Sequence, residues 1–154
     1  MATQLKELEA FGEWLDVIER LKEVPEQAWN ESIDPGKWSY KDVVGHIMRW
    51  DKYFYEEAIA RIAADEPLTV QHLNYDDFNR EAAEVGRSLS IAELAEQAIY
   101  YRKVIVDTIQ KLPEEKLEKE HVDGDGHIFH IPTYLNDFIW HDQHHLKDIN
   151  QLFV

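Results

Sequence analysis

The chain contains no cysteine, which removes disulfides, thiolate metal ligands and a cysteine nucleophile together. Any thiol chemistry must therefore come from a partner molecule. Glycine and proline are scarce, six and five in 154 residues, a composition that argues against disorder and suits a soluble globular protein. No apolar run approaches the length needed to cross a bilayer, and the opening Met-Ala-Thr-Gln-Leu-Lys-Glu-Leu-Glu lacks the apolar core of a signal peptide. The expectation is a cytoplasmic protein without a membrane partner. Basic charge is also short: 16 Lys and Arg face 31 Asp and Glu, a formal net charge of -15. With no local basic patch, such a chain repels phosphate backbones, so nucleic acid is not expected as a partner. A phosphate-binding glycine loop, a Cys-x-x-Cys pair and a Gly-x-Ser-x-Gly elbow are absent. No two separate helices carry the Glu-x-x-His elements that a carboxylate-bridged two-metal bundle needs.

What is present is helical periodicity. The length and 44% hydrophobic content fit one domain over residues 1–154, large enough to bury a core without cross-links. Leu5, Leu8, Phe11, Leu15, Ile18 and Leu21, with Trp14 beside them, recur at three and four residues and predict a helix over roughly 4–23. Pro25 and the stretch from Asn30 to Lys37, with Pro35-Gly36, predict a connection. Ser39 and Asp42 then open a second helix with the stripe Val43, Ile47, Trp50, Phe54 and Ala58. Residues 64–89 read as a long crossover with a short helix from Asp76 to Val85, Tyr75 and Phe78 serving as packing groups. Ser90 and Glu93 form a capping box for a third helix over 91–111, with Leu94, Ala98, Tyr101, Ile105 and Ile109 inward and Pro113 beyond its end. Asp123-Gly124 and Asp125-Gly126 predict a small hairpin, and Pro132-Thr133 opens a last helix running to Leu152. The fold class is therefore all-α: a four-helix bundle with a long crossover and a short helix or hairpin in its connections.

Chemistry is signalled by histidine. His141 and His145 are about 6 Å apart along a helix axis and point the same way, and His46 lies at the inner edge of the second helix. Three neutral imidazoles suit zinc, nickel or iron and leave a coordination position open. His144, three residues from His141, competes with His145, but the stripe Leu135, Ile139, Leu146 and Ile149 places His144 nearer a flank. Asp142 or Asp148 is a candidate to orient an imidazole, with a role on the acidic surface as the plainer reading. His72, His121, His127 and His130 lie in connections and read as ordinary loop side chains, of which His127 and His130 can approach the mouth of the site. Trp14, Trp29, Trp38, Trp50 and Trp140 read as core and helix-end packing. Tyr53, Tyr100, Tyr101 and Tyr134 read first as packing groups and second as proton donors. Asp123-Gly-Asp-Gly reads as a turn, since the spacing and terminal glutamate of an EF-hand are missing.

Two segments carry a family resemblance. Trp38-Ser-Tyr-Lys-Asp-Val-Val-Gly-His46-Ile47 and His141-Asp-Gln-His-His145 resemble the second-helix opening and last-helix His-x-x-x-His of the DinB superfamily, and the likeness in helix order extends over nearly the whole chain. The resemblance implies a four-helix bundle, commonly a homodimer, in which His46, His141 and His145 hold a divalent metal, often zinc or nickel. It also implies thiol-dependent transferases and isomerases using mycothiol or bacillithiol among the relatives. Leu146-Lys147-Asp148 stands where Gly-Gln-Ile is usual in that family. The expected function is a metal-dependent enzyme acting on a small molecule, a hydrolase using activated water or a transferase using bacillithiol or another low-molecular-weight thiol. The competing expectations are a noncatalytic bundle that binds a metal or small ligand in sequestration or stress protection, and a structural partner domain.

Overall fold

The computed structural model describes residues 6–153, and its first helix, α1, spans Lys6–Leu21. Leu5, the first member of the expected apolar series, lies outside the described residues. Leu8, Phe11, Trp14, Ile18 and Leu21 form the buried face of α1. Trp14 occupies the core position expected for Leu15, because the steps 11, 14, 18 and 21 satisfy the helical period equally well. The breaker segment holds a single turn, α2 (Glu26–Trp29). Trp29 is sealed in the core, where its indole N–H donates to the Leu21 carbonyl at 3.0 Å.

Helix α3 (Tyr40–Phe54) begins at a reciprocal capping box. The Asp42 amide donates to the Ser39 hydroxyl and the Ser39 amide to the Asp42 carboxylate, both at 3.1 Å. The helix continues through a π-helical turn at Tyr55–Ile59 into α4 (Ala60–Ala63). The short helix expected in the crossover is a 14-residue element, α5 (Tyr75–Ser88), packed on α3. Gly45 and Gly86 permit that contact: a Cβ built on Gly45 would stand 3.1 Å from the Gly86 Cα. Helix α6 (Ile91–Lys111) starts at the predicted Ser90–Glu93 box. The turn α7 (Glu114–Glu118) leads into the antiparallel pair β1 (His121–Val122) and β2 (Ile128–Phe129), in which His121 faces Phe129. Helix α8 (Ile131–Ile149), with Pro132 in its first turn, ends in a 3-10 turn at Asn150–Phe153.

Helices α1, α3, α6 and α8 make the bundle, in which α1 and α3 each pack on both α6 and α8. No described helix is long and apolar enough to cross a membrane. The core divides into two apolar clusters. One gathers Phe11, Ile59, Ile105, Ile109 and Leu135, and the other Trp14, Ile18, Ile47, Leu94 and Ile149. On α3, α6 and α8 a polar residue stands between the two clusters: Asp51, Arg102 and Asp142, all buried. Arg102, not Tyr101, takes the inward position on α6, and Tyr101 is half-buried.

Candidate metal centre

The polar layer fixes the histidine-bearing helices. The Arg102 guanidinium, 0% exposed, donates to Asp51 from Nε (2.8 Å) and Nη2 (3.1 Å), and to Asp142 from Nη1 (2.7 Å) and Nη2 (3.3 Å). Its Nη1 also donates to the Phe11 carbonyl at 2.9 Å, and its plane lies over the Phe11 ring at 3.9 Å. One cation thereby joins all four bundle helices. Burial works against the charged guanidinium, but the two carboxylates prevail and its pKa is raised. Burial pushes the Asp51 carboxyl up to about 6, Arg102 opposes the shift and the nearby Asp142 adds to it. Asp142 is thus neither a surface group nor an imidazole acceptor. It turns from its neighbour His141 towards Arg102.

The same arrangement brings His46 of α3 together with His141 and His145 of α8. One ligating atom from each lies within 4.8 Å of the other two, and the Nε2 atoms of His46 and His141 are 2.9 Å apart. His46 is buried, His141 and His145 are half-buried, and His144 is exposed, stacked on the Trp140 ring. Trp38 leans on the His46 ring at 5.1 Å and Phe138 meets His141 edge-on at 5.5 Å. Burial, reinforced by the other two imidazoles, lowers the His46 pKa to about 3. Burial first and then Arg102 bring His141 to about 4, while burial and the neighbouring His141 and His144 bring His145 to about 4. All three rings are therefore neutral near pH 7.

These residues fit a divalent ion. The Nε2 atoms of His46 and His141 meet at hydrogen-bond distance, 2.9 Å, and a shared cation would take the place of the single proton between them. Nitrogens bound to one tetrahedral ion at about 2.0–2.1 Å stand roughly 3.3 Å apart, within a small ring rotation of the 2.9 Å found here. The Nδ1 atoms of His46 and His141 are buried without a protein partner; with the proton on Nδ1, each ring would offer its Nε2 lone pair to a metal.

A cavity of about 500 Å³ adjoins the triad at His46 and His141. Trp50, Phe54, Tyr75, Phe129, Tyr134 and Phe138 supply its aromatic wall, and Asn79, His130, Thr133 and Asp137 its polar groups. Asn79 accepts the Trp50 indole N–H at 2.9 Å. The Tyr134 hydroxyl is buried without a partner, and burial, with the carboxylate of Asp51 nearby, raises its pKa well above the ordinary value. Trp140, expected as core or helix-end packing, is 68% exposed and lies on the cavity rim. A separate groove lined by Lys37, Trp38, His144, His145 and Asp148 reaches the triad through His145.

Of the loop histidines, His130 lines the cavity, whereas His127 turns away and pairs with His72. His121 is buried and bonded to the Lys116 carbonyl at 2.9 Å. Arg102, Asp51 and Asn79 escaped the sequence reading. The spacing 94, 98, 102, 105, 109 does mark Arg102 as inward, but the rule that charge faces solvent assigned that place to Tyr101.

No curated protein matches the sequence. Among solved structures, YfiT from Bacillus subtilis, described as a probable metal-dependent hydrolase with an unusual four-helix bundle topology, shares the fold. The TM-score is 0.71 at 14% identity, over 96% of this chain and 83% of that one. The family model described as the DinB superfamily matches residues 12–149, so by sequence pattern and by fold together the chain belongs to the DinB superfamily.

Proposed function

We propose that this chain is a divalent-metal-dependent enzyme acting on a small molecule with an apolar body, and that His46, His141 and His145 are its metal ligands. The observation that carries the reading is the convergence of three neutral imidazoles, two of which, His46 and His141, stand on the wall of an aromatic cavity of about 500 Å³, a size suited to a small substrate. When bound, an ion of the zinc or nickel class supplies Lewis acidity towards an oxygen or sulfur nucleophile. The chain's own residues do the rest. Trp38 and Phe138 shield the imidazoles from water, and the six aromatic rings hold the substrate's apolar part. Tyr134 keeps its proton and contributes its ring to the apolar wall.

Hydrolysis and thiol-dependent transfer both fit this arrangement. The groove at His145 favours transfer, because it reaches the triad by a different residue from the cavity and offers Lys37 and Asp148 to a second, charged reactant. Bacillithiol, or another low-molecular-weight thiol, has that character. A bundle that only sequesters a metal or ligand and a structural partner domain that holds no specific ion are the other readings.

The test is elemental analysis of protein purified without an affinity tag, beside His46→Ala and His145→Ala. Both variants are expected to lose the triad's equivalent of metal while circular dichroism stays unchanged, and retention of wild-type occupancy by both would refute the centre. Thiol-dependent consumption of an electrophile identifies a transferase, and thiol-independent ester or amide cleavage a hydrolase. Stoichiometric metal with neither turnover would assign the chain to binding.

A further inference from the structure

A second group of metal-ligating side chains lies where the crossover meets the hairpin. His72 stands on the crossover, and Asp125 and His127 in the hairpin turn. One imidazole nitrogen or carboxylate oxygen from each lies within 4.8 Å of the other two, and all three residues are exposed. The two rings are 5.2 Å apart between centroids. None of the three lines the cavity at the triad.

The backbone on both sides is held in place. The Gly124 amide donates to the Val70 carbonyl at 2.8 Å. A Cβ on Gly124 would stand 3.0 Å from that oxygen and 3.1 Å from the Thr69 carbonyl, so a side chain there would push the two segments apart by a few tenths of an ångström. The His72 amide donates to the Asp125 carboxylate. Asp123 accepts the amides of Asp125 and His127 at 2.9 Å each and so shapes the turn. On the crossover, the Tyr53 hydroxyl accepts the Gln71 amide at 2.8 Å and donates to the Gln71 carbonyl at 3.2 Å. Ligands carried on prearranged backbone lose less freedom when an ion binds.

We propose that His72, Asp125 and His127 form a second, external site for a borderline divalent cation of the zinc, nickel or copper class. Two imidazoles and one carboxylate match that class, whereas calcium and magnesium prefer sites built from oxygen alone. Asp123, beside the site, adds negative charge that favours a cation. Water completes the coordination of so exposed an ion. The bound ion ties the crossover, which runs into Tyr75, to the hairpin that supplies Ile128, Phe129 and His130. It thereby fastens together two segments that border the cavity.

This site does not rest on the triad, and the two separate cleanly by experiment. Metal-free protein spanning residues 1–154 is titrated with Zn2+ near pH 7 by calorimetry, with bound metal counted by elemental analysis. The expected result is two equivalents in the wild type and one each in His72→Ala, His127→Ala and His141→Ala. In the His141→Ala protein, paramagnetic Cu2+ should broaden the imidazole signals of His72 and His127 selectively. A wild type that binds one equivalent, lost in His127→Ala but kept in His141→Ala, would support the external site and count against the triad. A wild type whose only equivalent disappears in His141→Ala, or two equivalents surviving in His72→Ala and His127→Ala alike, would overturn the proposal.

Discussion

His144 and His145 are adjacent, yet their environments separate them. His145 turns towards His46 and His141, with ring centroids at 5.2 and 4.6 Å, while His144 lies flat on Trp140 in solvent. Replacing His144 by alanine should leave metal content and fold as in the wild type, in contrast to His145→Ala, and elemental analysis of the pair separates them. The imidazoles also set a pH dependence. Each has a folded-state pKa of about 3 or 4, below the ordinary 6.5, so as pH falls the unfolded chain takes up protons first. Their contribution to stability is complete above about pH 6.5 and is lost on acidification towards the folded values. Asp51, raised to about 6, runs the other way, since its contribution is lost as pH rises from about 4 through 6. Three groups outweigh one. Chelator-treated protein should therefore show a lower urea midpoint at about pH 4.5 than at about pH 7.5, and an unchanged or higher midpoint would contradict the assignment of buried neutral rings.

At the scale of elements, helix α3 is defined by its start and by the neighbour it admits. Ser39→Ala removes one half of the capping box and should cost about 1 kcal/mol in urea unfolding. Gly45 lies one residue before His46 and against Gly86 of α5. A valine there has no room between two helical backbones, so Gly45→Val should cost about 1–3 kcal/mol. Because α5 brings Asn79 to Trp50, separating the helices should also raise solvent quenching of tryptophan fluorescence. The capping pairs of α3 and α6, the stripe of α1 and the turn glycines of the hairpin were legible in the sequence, since each depends on residues a few positions apart. The full length of α5 was not. Its helix follows from packing against α3 through two glycines 41 positions apart in the chain, and glycine on its own speaks against a helix.

For the whole molecule the deciding feature is the layer of charge between the two apolar clusters. Arg102 bonds to Asp51, Asp142 and the Phe11 carbonyl, so it sets the depth of α1, α3 and α8 against α6. With α3 and α8 fixed, His46 and His141 face each other. Arg102→Met should destabilise the bundle by about 3–5 kcal/mol, because two carboxylates would remain buried without a cation. Adding Asp51→Asn and Asp142→Asn to that variant should restore part of the loss, as measured by thermal denaturation. A single Arg102→Met variant as stable as the wild type would show that the layer contributes nothing.

The sequence by itself determined the helices, their inward faces and the candidacy of His46, His141 and His145, because periodicity and caps are local properties of the chain. It left His144 and His145 as rivals, since both stand at a same-face spacing from His141. Only the tertiary structure placed Arg102, Asp51 and Asp142 inside and Trp140 outside, and only it joined His72 to Asp125 and His127. A buried charge is tolerable solely where opposite charges from other helices meet it, and that meeting is a property of the assembled bundle rather than of any one segment.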